Sequence, residues 1–171
     1  MRHASLLAAV LLALSGVAPP SAAAAPPGFP DLSKFSAVDP APYVAVVGTK
    51  SVRRIQFVAG QLNCSWELTA DPNAHDGVSC SGDLPGIPDG VPRGEYDNSC
   101  DGISPGGAVG LYTFSRGTGP CPPPDGFRPV PVGAKITAAS ATCAVTPDGV
   151  ACIDPIVNHG FVLQHPLSWV F

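Results

Sequence analysis

The sequence predicts a mainly β domain of six to nine short strands, arranged as a small antiparallel sandwich or a partly open barrel stapled by disulfides. Three observations predict this class. Short runs rich in valine and aromatic residues recur along the chain, and no segment shows a sustained helical period. Six cysteines stand at spacings typical of strand–turn–strand units. The 19 glycines and 21 prolines among 171 residues predict long irregular loops between the strands.

Residues 1–24 have the pattern of a secretory signal peptide. A short basic start, Met1-Arg2-His3, precedes an apolar run and a small-residue stretch, and we expect cleavage after Ala24. The first cysteine is Cys64, so no cysteine stands near the cleavage point for lipid attachment. No later segment is long and apolar enough to span a membrane. The sequence therefore predicts that the mature chain, residues 25–171, is secreted by the Sec route and has no transmembrane segment.

The mature chain divides into a proline-rich, extended N-terminal segment at residues 25–42 and a single β domain at residues 43–171. Phe29, Leu32 and Phe35 are the expected docking points of the N-terminal segment, and a disordered leader is the alternative.

Segments with strand character recur along the β domain. In chain order they are residues 43–47, 54–58, 62–68, 78–81, 109–115, 135–137, 141–145, 150–153, 161–163 and 168–171. Residues 62–68 alternate apolar and polar side chains, which is typical of a half-buried strand. Thr146-Pro147-Asp148-Gly149 predicts a tight turn. Residues 82–108 hold eleven glycines and prolines and predict a long loop.

Six cysteines permit fifteen pairings, and spacing alone does not choose among them. Hairpin geometry favours Cys143–Cys152 across the turn at Pro147-Asp148, and Cys64–Cys80 across a segment dense in turn formers. Cys100–Cys121 is then the preferred third pair. The even count in an exported chain, and the lack of a Cys-x-x-Cys motif, favour structural disulfides over a metal site or a catalytic thiol.

Composition and motifs restrict the chemistry. Residues 25–171 hold eight basic and thirteen acidic residues, a net charge of −5, and the basic ones are scattered, which argues against a nucleic-acid partner. No nucleophile elbow, phosphate-binding glycine loop or zinc-protease motif occurs, so we assign no catalytic residue, no metal site and no cofactor. His75, between Asp71 and Asp76, and His159 are the histidines that a catalytic alternative would use, and polar turns explain both.

Acidic residues cluster in the long loop and offer two further interpretations. They are Asp83, Asp89, Glu95, Asp97 and Asp101. Two of them would serve as a pair of glycosidase carboxylates. Residues 97–102 are rich in oxygen donors for calcium, but they match no complete calcium-loop motif, and a solvated turn explains them more simply.

The long loop is also the candidate binding site. Prolines and the Cys100–Cys121 bridge would lower the cost of ordering it on a partner. The candidate residues are Leu84, Tyr96, Asp97, Asp101 and Ile103, with Leu84, Tyr96 and Ile103 as apolar anchors. A loop that packs these side chains on its own core is the equal alternative.

Several motifs together resemble a known group of proteins. Cys143 and Cys152 flank a turn and are followed by His159-Gly160-Phe161, and the sequences V-S-C-S-G and L-P-G-I-P stand at 78–82 and 84–88. With the start P-P-G-F-P-D-L at 26–32, the chain resembles small exported proteins of mycobacteria and related actinobacteria. The shared motifs are structural, so the resemblance implies an exported β protein and supplies no catalytic residues.

The sequence favours a non-enzymatic binding or interaction module in the cell envelope or outside the cell, with a protein, glycan or lipid partner. A hydrolase that uses loop carboxylates and a histidine is the first alternative, and a protease-inhibitor-like protein is the second. A polar cleft holding two of the acidic residues and a histidine would favour the hydrolase, a protruding loop at Cys121 the inhibitor, and an apolar groove the binding module.

Overall fold

Two β-sheets pack on one hydrophobic core in the computed structural model, which describes residues 25–49, 51–69, 77–93, 100–106, 111–122 and 125–171. The predicted mainly β class, with a sandwich of two sheets and three disulfides, is confirmed. The described residues form thirteen strands, more than the six to nine expected, and those at 36–38, 101–105 and 128–129 gave no strand signal of their own in the sequence. The predicted signal peptide lies outside the described residues.

The first sheet has the strand order β1-β9-β10-β11-β12-β13. Its strands are β1 (Ser36–Val38), β9 (Ala134–Ala138), β10 (Ala141–Thr146), β11 (Gly149–Asp154), β12 (His159–Leu163) and β13 (Trp169–Val170). The second sheet has the order β2-β3-β4-β5-β6-β7, with β8 beside β3. Its strands are β2 (Val44–Val47), β3 (Val52–Ala59), β4 (Leu62–Glu67), β5 (Ser79–Gly82), β6 (Asp101–Pro105), β7 (Tyr112–Ser115) and β8 (Arg128–Pro129). Leu32–Lys34 and Ala41–Tyr43 form short 3-10 helices.

Alternating side chains build the core between the two sheets. In β4 the residues Leu62, Cys64 and Trp66 are buried, as the period of two predicted. The indole Nε1 of Trp66 donates a hydrogen bond of 3.0 Å to the carbonyl oxygen of Ala138, which belongs to the opposite sheet. This bond lets a large aromatic side chain lie in the core without losing a partner for its N–H group.

The two sheets contain two copies of one five-strand meander, β3–β7 and β9–β13. The pairs that match between the copies are Phe57–Cys64 with Ile136–Cys143, Cys64–Cys80 with Cys143–Cys152, Cys80–Ile103 with Cys152–Phe161, and Ile103–Phe114 with Phe161–Val170. The sequence carries a trace of this repeat, Gly-Val-Ser-Cys at 77–80 and Gly-Val-Ala-Cys at 149–152. The same register of the buried side chains therefore specifies both halves of the core.

One strand that precedes each copy along the chain pairs with the other copy. Strand β1, which is followed by β2 and then by the first copy, lies parallel to β9, and β8 precedes the second copy but lies parallel to β3. Further backbone bonds extend both contacts, from the Ser36 N–H to Gly133 and from the Val130 N–H to Val58. These two parallel pairs, in a sandwich that is otherwise antiparallel, make each sheet depend on both halves of the chain.

The three disulfides are Cys64–Cys80, Cys143–Cys152 and Cys100–Cys121, the same pairs that the spacing favoured. The first two join directly opposed residues, with Cα atoms 4.1 Å apart, and their four cysteines are buried. The third joins the start of β6 to the chain after β7 and lies nearer the surface.

Cleavage of the chain between Gly119 and Pro120 should leave the fold intact. A protease site inserted there falls in an exposed stretch, and the crossed strands and the Cys100–Cys121 bridge still join the pieces. We expect the cleaved, oxidised protein to keep the near-ultraviolet circular dichroism of the intact protein. Residues 25–119 alone should lose that signal, because β3 then lacks β8 and the core lacks the whole second meander. A folded isolated fragment would contradict this dependence.

Replacement of Trp66 by Phe should destabilise the protein by about 1–3 kcal/mol, because the half-buried Ala138 then has a carbonyl without its side-chain donor and the core loses part of the indole ring. Urea unfolding followed by circular dichroism measures the change. Phe114→Tyr is a matched control at a half-buried aromatic site with no such bond, and we expect a smaller change there.

Candidate binding surfaces

The structure places two of the expected apolar anchors in the core. Ile103 lies in β6 and is 1% exposed, and Leu84 is 5% exposed. Their side chains pack on the protein itself, so the prediction that they present apolar anchors to a partner is wrong. The cause is strand β6, which the glycine and proline density of residues 82–108 concealed. Tyr96 and Asp97 lie outside the described residues.

Asp101 stands at the start of β6, and its Oδ1 accepts a hydrogen bond of 2.8 Å from the Gly117 N–H. With Asp83 it borders a depression of about 310 Å³ beside the Cys100–Cys121 bridge. Two carboxylates are too few for a calcium site, and the described residues contain no group of three or more acidic, histidine or cysteine side chains placed to hold a metal ion. Residues 100–102 are the described part of the calcium-like fragment 97–102, and Asp101 and Gly102 belong to β6.

A second depression, of about 300 Å³, lies at one end of the sandwich. It is lined by turns and bordered by Asp83, Asp148 and His165. This set resembles the cleft that a hydrolase would need, although only Asp83 comes from the long loop. All three side chains are exposed, and no hydrogen bond joins them to one another. A general base needs a partner that orients it, so the arrangement lacks a feature of the catalytic sites that use this chemistry.

His159, the other catalytic alternative, is half-buried and lies opposite Asp154 across β11 and β12. Asp154 is 3% exposed, and its Oδ1 accepts a hydrogen bond of 2.9 Å from the Ile156 N–H. That bond closes the turn between the two strands, so it gives Asp154 a structural role. His75 lies outside the described residues.

Tyr112 is a buried polar group between the two sheets. Its ring packs edge-to-face on Phe161 at 5.0 Å, and its hydroxyl accepts a hydrogen bond of 3.1 Å from the Val78 N–H. Burial raises the pKa of Tyr112, the bond from Val78 opposes that rise, and the nearby charge of Asp154 adds to it. The hydroxyl is therefore held neutral as part of the core.

The outer face of the first sheet carries a row of four apolar side chains and one lysine that crosses the strands. The row consists of Lys135, Ala144, Ala151, Val162 and Trp169, which are paired from strand to strand. Its three central side chains are at most 2% exposed, although they point away from the core between the sheets. Side chains in this position need a cover of their own.

The N-terminal segment provides that cover. At one end of the row a side chain at Gly28 would touch the Trp169 ring at 3.6 Å, and at the other end Lys135 Nζ donates a hydrogen bond of 2.7 Å to the Leu32 carbonyl. Phe29 also packs edge-to-face on Phe171, at 5.4 Å between ring centroids. The N-terminal segment, with a turn at residues 26–29 and the 3-10 helix Leu32–Lys34, therefore runs from one end of the row to the other across the strands. Of the expected docking points, Phe29 makes this ring contact, and Leu32 contributes its carbonyl.

The equivalent row of the second sheet has a different chemistry. In strand order its residues are Gln56, Ser65, Ser79, Ser104 and Thr113. Ser81 and Ser115 lie beside this row on the same face. We call these seven residues the hydroxyl face. Gln56, Ser65 and Ser79 are half-buried, and the other four residues are exposed.

A shallow depression of about 380 Å³ opens on the hydroxyl face. Ser65 and Ser79 line it together with Arg54, Glu67 and Pro105. Arg54 and Glu67, the charged residues in the described lining of this depression, form an ion pair across β3 and β4, so their charges cancel. Within the described part of the chain, none of the hydroxyl groups of this face makes a hydrogen bond to another protein atom.

Sequence reasoning did not find the hydroxyl face, although one signal pointed to it. Ser79 and Ser81 alternate with Cys80, as Asn63 and Ser65 do around Cys64, and this pattern fixes which side chains point outward. Sheet order was the missing information, because only the pairing of β5 with β6 and β6 with β7 brings Ser104 and Thr113 into line.

No protein-family model, curated protein or solved structure matches the chain. In the described residues, no helix is long and apolar enough to cross a membrane.

Titration of the tyrosines should separate Tyr112 from the others. Its raised pKa means that the folded protein favours the neutral phenol, so its contribution to stability is complete below about pH 10 and declines as the pH rises through the folded pKa. We expect the phenolate absorbance of the protein to show a late phase that Tyr112→Phe removes. Tyr43→Phe is the control, and a late phase that survives in Tyr112→Phe would contradict the assignment.

Proposed function

We propose that the protein is an exported, non-enzymatic binding module of the cell envelope, and that the hydroxyl face is its binding surface. One observation carries this proposal. The two sheets share a backbone plan, yet one outer face is apolar and covered by the protein's own N-terminal segment, while on the other face no described segment lies over the polar side chains. Within the described part of the chain, this second face is the one that a partner can reach without displacing a protein segment.

Export is supported by the disulfides and the N-terminal pattern. Three disulfides, two of them buried in the core, persist in an oxidising compartment. The basic start, the apolar run and the alanines before residue 25 have the composition of a signal peptide. We further propose that the chain belongs with the small exported actinobacterial proteins that it resembles, which fits a location in the envelope.

Among the described residues no histidine or carboxylate is oriented for catalysis, and this supports binding over hydrolysis. The histidine and carboxylates at the end of the sandwich are exposed and not joined to one another by hydrogen bonds, whereas the buried polar groups Asp154 and Tyr112 hold turns and the core together. At the bridge to Cys121, Asp101 is engaged by the backbone of Gly117 and lies in a polar depression. The hydroxyl face, by contrast, presents seven uncharged polar side chains on neighbouring strands of one sheet.

Retention on envelope material tests the proposal. Oxidised residues 25–171 would be sedimented with the insoluble envelope fraction of a mycobacterium, and the bound fraction measured. Ser104→Arg places a bulky cation on the exposed part of the hydroxyl face and should reduce the bound fraction at least about tenfold. Thr137→Arg, at an exposed position on the first sheet, is the matched control and should bind as the parent does. Equal retention of both variants would overturn the assignment of the surface.

A further inference from the structure

We propose that the hydroxyl face binds a linear, neutral polysaccharide that lies across the strands. This inference rests on the proposed function, since it names the ligand class for the same surface. Three properties of the face support this ligand class. They are its hydrogen-bonding groups, its charge, and the direction in which a ligand would lie.

The hydrogen-bonding groups suit a polyol. Each serine or threonine hydroxyl offers one donor and two acceptor positions, and those of the hydroxyl face make no hydrogen bond within the described part of the chain. Sugar hydroxyls have the same dual character, so a polyol can pair with such a face in many places. Short side chains on paired strands also lose little freedom on binding.

The charge of the face disfavours the other envelope ligands. Its seven residues are uncharged, and Arg54 at its margin is neutralised by Glu67. Among the described residues, a nucleic acid, an anionic lipid or an acidic polysaccharide would find no excess of positive charge there. Of the large exposed apolar side chains, Leu111 alone is on the same side of β7 as Thr113, at the edge of the sheet. The described part of this face therefore has no continuous apolar patch for a lipid tail or for the apolar centre of a protein interface.

The direction in which a ligand would lie follows from the other copy of the meander. On the first sheet the N-terminal segment lies across the equivalent row, from Trp169 at one end to Lys135 at the other. The same backbone plan on the second sheet leaves a track across five strands, about 19 Å long at the usual spacing of strands. An extended oligosaccharide fits a track of this kind, and the depression over Ser65 and Ser79 gives it a recess.

Calorimetric titration with neutral linear hexasaccharides of glucose, mannose, galactose and arabinose tests the ligand class. We expect at least one to bind the oxidised residues 25–171, with an affinity that does not fall with added salt, because no net charge takes part. The double variant Ser65→Ala, Ser79→Ala should weaken that binding about tenfold, as two lost hydrogen bonds predict. Thr137→Ala, Thr142→Ala removes two hydroxyls from the other sheet and should leave the affinity unchanged.

The outcomes separate this inference from the proposed function. If no hexasaccharide binds but Ser104→Arg still abolishes envelope retention, the ligand class is wrong and the binding surface stands. If neither the sugars nor the envelope bind, both proposals fall. Binding that the Ser65 and Ser79 double variant does not weaken would place the glycan elsewhere and overturn the inference. Binding of an acidic hexasaccharide in place of the neutral ones would also overturn the inference. Unfolding midpoints in urea confirm that each variant is folded.

Discussion

The exchange of leading strands between the two meanders is the constraint on which the rest of the structure depends. Strand β1 completes the sheet of the second meander and β8 completes that of the first, so neither half of the chain can finish its own sheet. Both halves then bury their inward side chains against each other, around two disulfides that occupy equivalent positions. Each disulfide contributes roughly 2–4 kcal/mol by restricting the unfolded chain, which compensates for the many loops.

Both meanders bury their core side chains in the same register. The differences between the two copies therefore indicate what the outer face of each copy contacts. The second copy turns at Pro147-Asp148 and keeps an apolar outer face, which the N-terminal segment covers. The first copy has longer connections, and its Cys100–Cys121 bridge has no counterpart in the second. At the positions that hold Ala144 and Ala151 in one copy, the other holds Ser65 and Ser79. The two outer faces thus have different chemistry on one backbone plan.

Much of the scaffold could be predicted from local sequence patterns. The alternation at 62–68, the turn at Pro147-Asp148 and the preferred cysteine pairs all depend on near neighbours in the chain. Strands β1 and β8 could not be predicted, because each consists of two or three residues whose partner is remote in sequence. Ile103 was assigned to a loop for a related reason, since the glycines and prolines around it hid the pairing of β6 with β5 and β7. The hydroxyl face needs sheet order, which no local pattern contains.

A row of serines on a sheet is by itself an ordinary solvated surface. The comparison between the two copies is the reason to assign this row a binding role. Water can satisfy isolated hydroxyls at little cost, so folding does not require a continuous row of them. A ligand gains when such groups are held at fixed spacing, because each further hydrogen bond is then made without ordering another side chain. Short side chains on strands that a disulfide and crossed pairing hold in place meet that condition. Rigid presentation, rather than strong individual contacts, is therefore the means by which this face would bind an extended polar chain.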